Sequence, residues 1–129
     1  MKKKLLISLF VILNIISVFG AETWYKLTEI KIKPVDCEWS EWMECLPEPL
    51  DMKFNDKTKQ IIIYSVTVQT FSYSQLFHSY DNVCHIIYGD PTDSYGNKVG
   101  FEFFNYNNGE KYLLIKYSDV KYMYKLYLK

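Results

Sequence analysis

After residue 21, apolar and polar positions alternate along most of the chain, the period-two pattern of half-buried strands. Trp24–Lys33 reads as a first strand, with Trp24, Ile30 and Ile32 assigned to one face and Lys31 and Lys33 to the other. Asp51–Phe54 follows as a short strand, with Met52 and Phe54 together. Gln60–Ser65 is apolar on both faces, the mark of a central strand. Val66–Ser74 continues extended, and Gln75–Asn82 reads as a loop or short helical turn. Val83–Gly89, Lys98–Tyr106, Glu110–Tyr117 and Val120–Lys129 complete the series. In the last strand Tyr122, Tyr124 and Leu126 oppose Lys121 and Lys125. Turns are marked at Asn55–Lys59, Asp90–Asn97, Ser118-Asp119 and, most clearly, Asn107-Asn108-Gly109, where Asn-Gly accepts the positive φ of a tight hairpin.

The fold class that follows is all-β: an antiparallel meander of about eight strands, closed as a small barrel or packed as a two-sheet sandwich. A barrel is favoured, because closure removes the unpaired edges that a Tyr- and Ile-rich sheet would expose. Asp36–Asp51 departs from the pattern. Trp39, Trp42, Met43 and Leu46 fall at helical spacing, Asp36 stands where a cap would, and Pro47 would end the helix. One reading is a short helix near residues 37–46 laid over an open barrel end. The other is an extended segment clipped by a Cys37–Cys45 disulfide.

The N-terminus carries a different signal. Lys2-Lys3-Lys4 precedes an apolar run over Leu5–Phe19 that ends at small Gly20. About fifteen residues make the hydrophobic region of a secretory leader, whereas a membrane span needs about twenty. Residues 1–20 are therefore read as a cleavable signal peptide and 21–129 as one domain, exported to a periplasm or secreted, with no membrane-integral segment after cleavage. Export also permits disulfides among Cys37, Cys45 and Cys84.

Charge narrows the partners. The leader takes three of the 15 lysines and none of the 15 acids, which leaves the remainder at −3. A mildly acidic chain does not attract phosphate backbones, so nucleic acid is disfavoured. No arginine occurs, so every cation is a lysine point charge without a bidentate fork.

The chemistry-bearing residues form no known catalytic, nucleotide or metal motif. Cys84 and His85 are adjacent on a strand and so face opposite ways. His78, Asp93 and Ser94 could form a triad only on paper. The expectation is a non-enzymatic binding module without metal or cofactor. One candidate contact surface is the acidic 36–51 segment, through Glu38, Trp39, Glu41 and Trp42, which would take a protein partner. The other is the tyrosine-bearing inner face, through Tyr122 and Tyr124, which would line a cavity for a small apolar or amphipathic molecule.

Thr23-Trp24-Tyr25-Lys26-Leu27 resembles the first-strand motif of lipocalins, the calycin-type ligand-binding barrels, with Glu22 in place of the family's glycine. Tyr117-Ser118-Asp119 loosely echoes the second motif; the arginine and flanking helix of the third are absent. The resemblance covers one strand and the architecture, implies a small exported barrel, and carries over no binding residue. The seven residues Trp39–Cys45 also look like the tryptophan motif of thrombospondin type 1 repeats, without their arginines or six cysteines.

Overall fold

The computed structural model describes residues 22–46 and 48–129. The leader over residues 1–20 and the helix stop at Pro47 lie outside them. Ten strands form one antiparallel, strongly curled, barrel-like sheet: β1 (Glu22–Pro34), β2 (Met43–Glu44), β3 (Leu50–Asn55), β4 (Gln60–Tyr64), β5 (Gln69–Ser72), β6 (Phe77–Tyr80), β7 (Cys84–Gly89), β8 (Gly100–Tyr106), β9 (Lys111–Lys116) and β10 (Val120–Leu128). No helix forms among the described residues.

The order around the curl is β5-β4-β3-β1-β10-β9-β8-β7-β6, with β2 paired to β1. Two meanders are thus joined where the first strand meets the last. The long β1 serves three neighbours: β10 along one edge, and β3 and then β2 along the other. The outer strands β5 and β6 do not pair with each other. Instead, Ser72 and Thr92 exchange two backbone hydrogen bonds of 2.8 Å, which closes part of the seam. Farther along it, the 73–76 linker crosses against Gly89. A Cβ there would lie 2.9 Å from Leu76 Cδ2 and 3.2 Å from the Gln75 carbonyl oxygen, so the close approach needs glycine.

The inner face follows the alternation. Leu27, Met52, Ile61, Ile63, Phe71, Phe101, Leu113, Ile115 and Leu126 are almost wholly out of solvent and fill the middle of the curl. The outer face carries ion pairs between neighbouring strands, among them Lys26–Asp51 at 2.9 Å and Lys125–Glu29 at 3.4 Å. Such exposed pairs contribute about 0–1 kcal/mol each. At the β8–β9 hairpin, Gly109 takes the positive φ that its turn demands.

Four expectations are corrected. First, residues 37–46 are not helical. Asp36 takes a positive φ, the chain folds back, and Met43–Glu44 pairs with Glu29–Ile30 of β1. A helix this short gains little by itself, while the edge of β1 beyond its pairing with β3 offers ladder partners. The helical stripe is not buried as one: Met43 is 42% and Leu46 75% exposed. Second, Trp39 and Trp42 lie against Lys31 and Lys125 of the sheet's outer face rather than over a barrel end. Third, 75–82 contains a strand, β6, which with β2 brings the count to ten.

The fourth correction concerns the face of Trp24. The β1–β10 register shifts between Leu27 and Glu29, leaving Thr28 as an extra residue. A bulge of this kind inverts the alternation beyond it. Trp24 therefore faces outward, stacked on Tyr64 at 5.7 Å, while Ile30 packs against the core. Thr28 Oγ1 donates to the Lys125 carbonyl oxygen, and the Thr28 carbonyl accepts from Cys45 N.

Candidate functional site

The barrel middle is solid, but one end is hollow. Where β1 begins and β10 ends, a cavity of about 710 Å³ opens to solvent. Its floor is apolar and largely aromatic: Tyr25, Phe54, Leu76, Ile87 and Phe103. The Tyr25 and Phe103 rings lie 5.3 Å apart, and Phe54 lies 6.0 Å from Tyr73 and 6.3 Å from Phe101 beneath. These residues come from β1, β3, β7, β8 and the linker, so the curl of the sheet assembles the site.

The rim is polar. Asp56, Lys59, Asn105 and Lys111 line it together with Ser74, Gln75 and His78. Asn55 shapes this part by accepting backbone hydrogen bonds from Lys57 and Thr58, both 3.0 Å, and Lys59 takes a positive φ to enter β4. Tyr73 donates its hydroxyl to Asp56 Oδ1 at 2.7 Å; burial, then the Asp56 carboxylate, pushes the phenol far above its usual range. Lys59 Nζ donates to the Ser74 carbonyl oxygen and Lys111 Nζ to that of Gly109. Each ammonium has three donors, so two remain for a guest. An apolar floor under two lysines suits an amphipathic molecule with its polar end outward.

Tyr122 and Tyr124, the inward tyrosines expected to line a cavity, sit at the opposite end. They border a smaller, more polar recess of about 460 Å³ with Gln69, Tyr117 and Asp119. Tyr124 is buried, which pushes its phenol up to about 12 and makes it core rather than an available hydroxyl.

The 36–51 candidates are placed on the outer face. Lys31 Nζ lies 5.1 Å from the Trp39 ring and 4.9 Å from that of Trp42, and Lys125 Nζ lies 5.5 Å from Trp42. The two tryptophans thus share Lys31, and Trp42 also meets Lys125, an attraction of about 0.5–1 kcal/mol for each contact at exposed sites. Glu38 and Glu41 are exposed beside them. Cys37, Cys45 and Cys84 are free thiols; Cys37 is exposed and the other two are buried, so the Cys37–Cys45 bond is not formed. Cys45 belongs to the core, where burial, then Glu29, pushes its thiol up to about 11.

His78, Asp93 and Ser94 do not meet as a triad. Asp93 accepts backbone hydrogen bonds from Tyr95 and Asn97, and Ser94 donates to the Thr70 carbonyl oxygen. His78 instead finds His85. The sequence missed this pairing because 75–82 carried no strand pattern; reading β6 as a strand would have put both histidines on one face of a hairpin. The cavity floor was equally hidden, since its residues are scattered from Tyr25 to Phe103.

No family model, curated protein or solved structure matches this chain.

Proposed function

We propose that this chain is an exported, non-catalytic, lipocalin-like binding module that holds a small amphipathic molecule at the hollow end of its barrel. The observation that carries this reading is the cavity itself: about 710 Å³, floored by Tyr25, Phe54, Leu76, Ile87 and Phe103 and rimmed by Lys59 and Lys111. Ligand pockets of small molecules have this size and lining. Export rests on the basic and apolar leader pattern of residues 1–20. The alternative, a protein partner held by the 36–51 segment, has less support, because Trp39 and Trp42 are already engaged by Lys31 and Lys125.

The test uses 1-anilinonaphthalene-8-sulfonate, an apolar ring system with one anionic group. We expect saturable, one-to-one fluorescence enhancement that Leu76→Trp and Ile87→Trp abolish by filling the floor, with the fold retained by circular dichroism. Enhancement unchanged in both variants, or none in the parent, would sink the reading. Native mass spectrometry of protein from an exporting host should also show an added mass that leaves on denaturation.

A further inference from the structure

β6 pairs only with β7, and all four of its residues are exposed, so no buried apolar side chain anchors it. Rings hold it instead. On one face Phe77 stacks on Tyr88 with centroids 5.6 Å apart. On the other, the hairpin register sets His78 opposite Ile87 and Tyr80 opposite His85. Tyr80 stacks on the His85 ring at 4.1 Å with planes within 10°. His78 Nδ1 and His85 Nε2 point at each other across 2.9 Å, a hydrogen bond between rings. The turn after β6 is pinned separately by Asp81, whose Oδ1 accepts the Val83 and Cys84 amides at 2.8 and 2.7 Å.

A contact of this length has room for one proton between the nitrogens. Two neutral rings share four nitrogens and two protons, one of them inside the contact. Of the two lone pairs left, one lies on the outer nitrogen of the donor ring and one is the acceptor within the contact. A first added proton takes the outer nitrogen and leaves a charge-assisted N–H···N bond. A second can go only to the acceptor. Both facing nitrogens then carry hydrogen and the rings must part. From this count we propose that the His78–His85 contact is an acid-released latch on the cavity mouth, holding β6 closed until the second proton arrives. The proposal rests on the cavity being the binding site, since His78 and the linker residues before β6 line it.

Tyr80 offers His85 a ring face that suits an imidazolium as well as an imidazole. The ring that leaves is therefore His78, which is exposed. Burial, then the charge of His78, holds the His85 imidazole below its usual 6.5. A base held down in the closed form favours closure above its ordinary value and loses that contribution as pH falls through the lowered one, so acid opens β6. The other titratable groups around the pair are Asp81 and Cys84 on the hairpin, Lys111 on β9, Asp56 and Lys59 on the β3–β4 turn, and Tyr25 and Tyr73 in the cavity wall. β8 sets uncharged Asn105 opposite His85. Asp56 takes the Tyr73 hydroxyl and Asp81 its own turn amides, so neither is spent on steadying a doubly charged pair.

The test is ¹⁵N magnetic resonance of the histidine rings from pH 8 to pH 4.5, without a guest. We expect two separate steps, with His85 Nε2 protonated only in the second and the Phe77–Tyr80 amide signals moving with it. His78→Gln keeps every other charged group, and in it His85 should titrate in one step while the β6 signals hold still. Two histidines that titrate independently, or β6 signals that ignore the second step, would overturn the proposal. The effect on a guest is read with neutral 1-anilinonaphthalene, which the added positive charge does not attract. Its release should quicken on the order of tenfold from pH 7.5 to pH 5 in the parent and stay constant in His78→Gln. An equal rise in both proteins would also overturn the latch. The ring titration needs no guest, so the latch and the cavity reading fail separately.

Discussion

Cysteine reactivity is settled residue by residue, since the thiolate is the attacking species and access decides how fast it is reached. Cys37 stands on the turn after β1, exposed. Cys45 is in the core, with its thiol pushed up to about 11, and Cys84 is buried and also raised, chiefly by desolvation. At pH 8 a native sample should therefore lose one thiol quickly to a maleimide, and the other two only after unfolding in denaturant. Mass mapping should place the fast adduct on Cys37. If unreduced, unfolded protein exposes a single thiol, two of the three are bridged and the free-thiol arrangement is wrong. The leader pattern raised the expectation of disulfides, but nothing in the sequence announced that Cys45 turns inward beside the bulge while Cys37 turns out.

At the scale of the element, strand alternation was legible wherever a strand was long and its inner face apolar. Val99, Phe101 and Phe103 against Glu102, and Tyr122, Tyr124 and Leu126 against Lys121 and Lys125, stand in the structure as their period-two pattern requires. Legibility failed where local pattern competes with an edge. The Thr28 bulge inverts β1 midway, and nothing in Leu27-Thr28-Glu29 announces it. In β6 all four residues are exposed, so no apolar alternation could mark the strand. The 37–46 segment carries helical spacing, but free backbone groups on β1 outcompete a helix too short to hold itself.

The contact between the linker and β7 is another feature of this kind, and it has a measurable consequence. Gly89→Ala should press the new methyl onto Leu76 and the Gln75 backbone and cost about 1–3 kcal/mol, the range for overpacking. Urea unfolding should show part of that loss recovered in Gly89→Ala/Leu76→Ala, because the two sites touch and their effects do not add. Equal stability of Gly89→Ala and the parent would mean that the linker does not rest on β7.

For the whole molecule, the order of strands sets where it opens. β1 and β10 are each hydrogen-bonded on both sides and join the two meanders, so freeing them requires the sheet to come apart. β6 is bonded on one side only, with its four residues exposed, and the double hydrogen bond of Ser72 with Thr92 closes only part of the seam. Local opening draws on such weakly held segments. Amide hydrogen exchange should therefore be fastest at the β6 residues and slowest in β1 and β10. The linker 73–76 and His78 border both this seam and the cavity, so opening at β6 widens the cavity mouth. Saturating 1-anilinonaphthalene-8-sulfonate should then slow exchange across residues 73–80. If β6 instead exchanges as slowly as β1, the seam is shut in solution and a guest reaches Phe54 and Phe103 only past the rim lysines.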